Sequence, residues 1–107
     1  MFNKSNMAKM LKQAQDVQKK IENVQSELEE MHIEAESGGG MVKIVVNGKM
    51  EVLELILDNG ILNEDKDMIE DLIISAVNKA LNKAQEESQL RMNSVTGGML
   101  SGMKIPI

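Results

Sequence analysis

The feature that most limits how this chain can fold is a heptad seam near its start. In MAKMLKQAQDVQKKIENVQSELEEM, residues Met7, Met10, Ala14, Val17, Ile21, Val24, Leu28 and Met31 follow one another at spacings of three and four. That is the a/d pattern of a coiled-coil-like helix, sustained over more than three heptads. Gln, Lys and Glu fill most of the remaining positions, and all are good helix formers. A helix from Ser5 to Met31 has a length of about 40 Å at roughly 1.5 Å per residue. The whole chain has 107 residues, one domain near the lower end of what folds alone. A helix that long cannot bury its seam inside so small a domain. It must pack on another long helix, meet a partner chain, or project.

The centre of the chain, ESGGGMVKIVVNGKMEVLELILD, changes period. His32 to Glu36 alternates polar and apolar through Ile33 and Ala35, which predicts a short strand. Gly38, Gly39 and Gly40 then lead into a second strand, with Val42, Ile44 and Val46 on one face and Met41, Lys43 and Val45 on the other. Three glycines beside a strand could suggest a phosphate loop, but the Lys-Ser/Thr pair and the following helix of such a loop are missing. A hairpin turn is the better reading. Asn47-Gly48 predicts a type I′ turn with two positive φ angles. Lys49 to Leu57 forms the return strand, with Leu53, Leu55 and Leu57 opposite Val52 and Ile56. It is apolar on both faces, so one face awaits a helix of the same chain and the other a second copy. The expected sheet is a three-stranded antiparallel meander.

A second helical pattern follows. Asn63 is the expected N-cap, with Glu64, Asp65 and Asp67 at the dipole-favoured end. Ile69, Leu72, Ile73, Ala76, Val77, Ala80, Leu81 and Ala84 make an apolar stripe at helical spacing. Beyond Ala84 the stripe thins to Leu90 and Val95, so the first half should cover the sheet and the second half project. The fold class is therefore α+β: a long N-terminal helix, a three-stranded antiparallel sheet and a long C-terminal helix, paired two-fold into a homodimer with projecting helical arms. Residues 1–95 form one domain, and the Gly- and Met-rich residues 96–107 a mobile tail.

Charge is distributed unevenly. The net charge is −5. Residues 1–20 hold five lysines and one acid, residues 21–77 hold three lysines and 14 acids, and residues 78–107 hold four basic residues and two acids, giving +4, −11 and +2. Such asymmetry marks an interaction surface. At roughly 100° per residue, Lys9, Lys12, Lys19 and Lys20 share one arc of about 100° on the first helix, away from its seam. The plain reading of a lysine run is a solvated face; the sharper one is a helix end that touches phosphate.

Enzyme chemistry finds little support. Cysteine is absent and His32 is the only imidazole. Glu29-Glu30 and Glu34/Glu36 are close carboxylates, but no nucleophile, partner base or metal imidazole stands beside them. No metal, cofactor or small-molecule substrate is expected. No apolar run approaches the roughly 20 residues of a membrane helix, and the chain reads as soluble and intracellular.

These stretches resemble the YbaB/EbfC family of nucleoid-associated DNA-binding proteins. The likeness rests on MAKMLKQAQDVQKKI, on ESGGGMVKIVVNGKMEVLELILD, on EDKDMIEDLIISAVNKAL with its Ala76-x-Asn78-x-Ala80 motif, and on the Gly-rich tail. It implies a helix–sheet–helix fold, a tweezers-shaped homodimer, double-stranded DNA as partner, and a cytoplasmic, nucleoid location. Carried onto this sequence, it places DNA contacts on Lys9, Lys12, Lys19, Lys20, Lys79, Lys83 and Arg91. With one arginine and only Phe2 as an aromatic, stacking on bases and bidentate guanine readout are nearly closed to this chain. Binding should be modest, salt-sensitive and largely sequence-tolerant. The alternative is a prefoldin-like or other protein-interaction module, with methionines near both ends as adaptable contacts. A prefoldin-like coil needs a second matching heptad, and that match fails after Ala84.

Overall fold

The computed structural model describes the backbone of residues 4–103 and the side chains of residues 4–95. Helix α1 spans Lys4–Glu30, strands β1, β2 and β3 span Ile33–Ser37, Val42–Val46 and Val52–Leu57, and helix α2 spans Lys66–Met103. The strands form the expected antiparallel meander in the order β1-β2-β3. The molecule is elongated, 73 × 30 × 16 Å, because both helices outrun the sheet. The backbone of α2 continues into the segment read as a tail. Residues 104–107, and every side chain from 96 onward, lie outside the described residues, and with them the mobility expected there.

α2 lies over β1 and β2. Ala76, Ala80 and Ala84, spaced four apart, are fully buried against Ala35, Val42, Ile44 and Val46. The small alanine side chains let α2 approach the sheet closely, above all at Ala35 of β1. The Ser37 hydroxyl adds a polar tie, donating to the carbonyl of Leu72 at 2.6 Å. Ile61, also fully buried, closes the core from the connection between β3 and α2. The stripe predicted for α2 from Ile69 to Ala84 is the stripe that packs.

Three local features differ from the sequence reading. The helix cap lies at Asp65, whose Oδ1 accepts the Met68 N–H at 2.9 Å. Asn63 instead ends a short 3₁₀ turn, Asn59–Asn63. The hairpin turn is not type I′: among the described residues outside Gly38–Gly40, only Met50 has positive φ, at 64°. Met50 N–H closes the turn onto the Asn47 carbonyl at 3.2 Å. Finally, β3 is exposed along its whole length. Val42 pairs with Leu57 and Ile44 with Leu55, so these leucines share the α2-facing side of the sheet, yet α2 stops short of them.

Candidate nucleic-acid interface

The root of α1 is built from the β2–β3 turn. Val24 and Leu28 are the buried residues of α1. The last carbonyls of a helix lack partners within it, and the turn supplies them. Gly48 N–H donates to the Leu28 carbonyl at 2.7 Å, and Asn47 Nδ2 makes a long contact to the Glu29 carbonyl at 3.5 Å. Lys49 and Glu29 add an ion pair at 2.9 Å. Asn47 is itself buried and held on both sides. Its Oδ1 accepts the N–H groups of Lys49 and Glu51 at 2.9 and 3.1 Å, and its Nδ2 donates to the Glu51 carboxylate at 2.9 Å.

Beyond this root α1 is a free arm. Residues 4–20 are exposed except for half-buried Val17. Met7 and Met10, the first members of the seam, are exposed to 60% and 58%. Lys9, Lys12, Lys19 and Lys20 are all exposed on this arm, and none of them enters an ion pair among the described residues. From Lys9 to Lys20 the helix rises about 16 Å, roughly five phosphate steps along one strand of a duplex. Asp16 falls inside the same arc and is the one carboxylate within it between Lys9 and Lys20, a position that the count of lysines alone passes over.

The remaining three expected contact residues sit elsewhere. Lys79 and Lys83 lie over the sheet, where their Nζ atoms donate to the backbone carbonyls of Glu36 and Glu34 at 3.4 and 3.1 Å. Arg91 is half-buried at the α1–α2 junction and pairs with Glu27 at 2.9 Å. The thinning of the α2 pattern after Ala84 therefore does not mark a free arm: Arg91, Met92 and Val95 are half-buried, while Leu90 points outward at 65% exposure. α2 buttresses the inner half of α1. The seven cations divide into four that are free on one helix face and three that are engaged within the protein.

The sheet surface opposite α2 has the contrary character. The pairing places Glu34, Val45 and Glu54 in one row and Glu36, Lys43 and Ile56 in the next. His32, Glu34, Val45 and Glu54 line a shallow depression there. Three carboxylates against one ammonium repel phosphate, so a polyanion meets a favourable field on the arm and an unfavourable one on the sheet. Among the described residues no cluster of His, Asp and Glu could hold a metal ion, and no helix is long and apolar enough to cross a membrane.

A small antiparallel sheet that roots a long helix, with a lysine face left free on that helix, defines a class of helix–meander–helix proteins with cationic arms. The YbaB/EbfC DNA-binding family matches this sequence over residues 3–99, and the chain belongs to that family. Its structure is similar to the crystal structure of the uncharacterized protein HP0035 from Helicobacter pylori. The two are 25% identical with a TM-score of 0.70, over 89% of this chain and 99% of that one.

Proposed function

We propose that this protein is a homodimeric, non-enzymatic, nucleoid-associated protein of the cytoplasm. It grips duplex DNA through phosphate contacts from α1 and tolerates most sequences. The observation that carries this reading is the free lysine face of Lys9, Lys12, Lys19 and Lys20 on an exposed arm, set against an acidic sheet. Lysine binds phosphate as a compact point charge and lacks the rigid planar fork of arginine, so the face suits backbone contact. The engaged Lys79, Lys83 and Arg91 are secondary: each would have to give up an internal partner to reach phosphate.

The dimer is supported by β3. Leu53, Leu55 and Leu57 are 48%, 47% and 38% exposed, and Ile74 of α2 is 57% exposed. A second copy, applied two-fold, would cover these side chains and set two arms side by side. Gel shifts with unrelated duplexes across a salt series test the whole reading. Comparable affinity for all duplexes and a linear fall of log K with log salt are expected. A strong preference for one sequence, with little salt dependence, contradicts it.

A further inference from the structure

The two edges of the sheet are treated differently. β1 and β3 are both outer strands, and an outer strand offers unpaired N–H and C=O groups to any extended chain that approaches. On β1 that offer is obstructed. Glu34 and Glu36 are alternate residues of one strand, so their backbone groups point to the same side. Lys83 and Lys79 donate to those two carbonyls at 3.1 and 3.4 Å. The lysines are one helical turn apart on α2, and the carbonyls two residues apart on β1, so the pair tracks the edge.

The fit has a cause in the sequence. The buried Ala76, Ala80 and Ala84 stripe packs over Ala35, and Ser37 is tied to the Leu72 carbonyl. α2 therefore sits low over β1. Lys79 and Lys83 flank the alanine stripe on the side away from Ile74, at roughly 100° per residue. One flank of the helix thus carries ammonium groups to the β1 edge, while the other leaves Ile74 and the β3 leucines uncovered.

We infer that Lys79 and Lys83 guard the β1 edge, denying it to an extended strand from a second copy of this chain, so that association is confined to the β3 side. The confinement to β3 rests on the dimer reading given above; the guard itself does not. An incoming strand must displace both ammonium groups from the carbonyls it needs and bring its own N–H groups in their place. Charged side chains over an outer strand are a recurrent means of preventing edge-to-edge addition. With one edge guarded, the assembly closes at a finite size; with both open, sheets could add end to end without limit.

The test is the full-length K79A/K83A variant, studied beside the wild type by sedimentation velocity over a range of concentrations, with circular dichroism of both. Alanine is a strong helix former, so α2 should persist. The substitution also moves the net charge from −5 to −7 by removing two positive charges, so general charge repulsion increases and cannot be the source of new association. The expected result is native circular dichroism with a weight-average mass at least double that of the wild type, growing with concentration, and a return to the wild-type distribution in K79R/K83R. An unchanged mass distribution overturns the inference. So does association accompanied by loss of helical signal, because then unfolding rather than an opened edge is the cause. The mass of the wild type tests the dimer separately, since the guard is read only from the difference between variant and wild type.

Discussion

Gly48 donates its backbone N–H to the carbonyl of Leu28 at 2.7 Å, and nothing larger than a glycine fits at that contact. A Cβ there would stand 2.7 Å from Leu28 Cδ2, 2.9 Å from its Cβ and 3.0 Å from its Cα. The last of these is backbone, so a rotamer change cannot relieve it. Gly48→Ala should therefore push the end of α1 off the turn and cost about 1–3 kcal/mol, as overpacking does. Urea denaturation measures the loss. Small-angle scattering of the folded fraction should show a changed maximum dimension, because the root of the arm has moved. Gly39→Ala is the control. A Cβ at Gly39 meets nothing within 4 Å, but φ is +65°, so it should cost only the left-handed penalty of about 1–2 kcal/mol and leave the arm where it was.

Asn47 makes the same joint from the other side. It is 3% exposed and uses both ends of its amide. Asn47→Ala strands the N–H groups of Lys49 and Glu51 that Oδ1 now satisfies, and should cost about 1–3 kcal/mol. Hydrogen exchange should rise at those two amides and at the end of α1. Exchange confined to the hairpin, with the end of α1 still protected, would show that the turn does not hold the helix.

Met50 carries the one left-handed non-glycine backbone conformation among the described residues, at φ 64°, with a 43% exposed side chain. Asparagine tolerates that conformation through local hydrogen bonding. Met50→Asn is expected to stabilise the protein by about 0.5–1 kcal/mol, a part of the left-handed penalty, read as a higher urea midpoint with unchanged slope. A lower midpoint would mean that the methionine side chain contributes more to packing than its exposure suggests.

The sequence made the elements plain and the joints obscure. The alternation of Val42, Ile44 and Val46 and the α2 stripe ending at Ala84 both appear in the core, because periodicity reports directly on which face is buried. Asn47-Gly48 signalled a turn correctly, but for a reason that local rules do not contain. Gly48 is glycine because Leu28, twenty positions earlier, lies on it, and the positive φ falls on Met50. Asn63 and Asp65 are equally good caps in isolation, and only the 3₁₀ turn through Asn63 decides between them. The lysines were the least legible. Lys79 and Lys83 differ from Lys9 and Lys12 only in what lies beneath them, and the depth of α2 over Ala35 and Ser37 is a property of the packed structure. Asp16 was visible throughout, since its helical angle falls within the lysine arc.

The uncovered leucines of β3 give a prediction about assembly. Leu55 is 47% exposed in the protomer, so a charge there should cost the protomer little, whereas in a dimer it would be buried without a partner, which is expensive. Leu55→Glu is expected to halve the mass seen by sedimentation equilibrium while circular dichroism stays native. It should also weaken DNA binding, because one arm then acts alone and the avidity of two is lost. A variant that keeps the wild-type mass would place the contact between copies elsewhere.

The DNA face is tested by subtraction and by addition. Lys12→Gln/Lys19→Gln removes two free ammonium groups from one helix face and leaves the arm's root intact. If both meet phosphate, all duplexes should weaken about equally, and the salt slope should fall by roughly two units, at about 0.9 per contact. Lys43→Gln removes one positive charge from the acidic sheet face and should leave the slope unchanged, where one lost phosphate contact would lower it by about 0.9. Lys49 would be a poor control, because its ion pair with Glu29 helps to hold α1 in place. Asp16→Asn tests the same face in the other direction. It removes the carboxylate inside the lysine arc, adds no new cation, and should tighten binding to every duplex, most at low salt where the Debye length is long. Equal behaviour of the arm and sheet variants would leave the lysines as solvating groups and move the contact surface off α1. Tightening by Asp16→Asn on one sequence alone would instead give that carboxylate a part in reading bases, since an aspartate can accept from the cytosine amino group in the major groove.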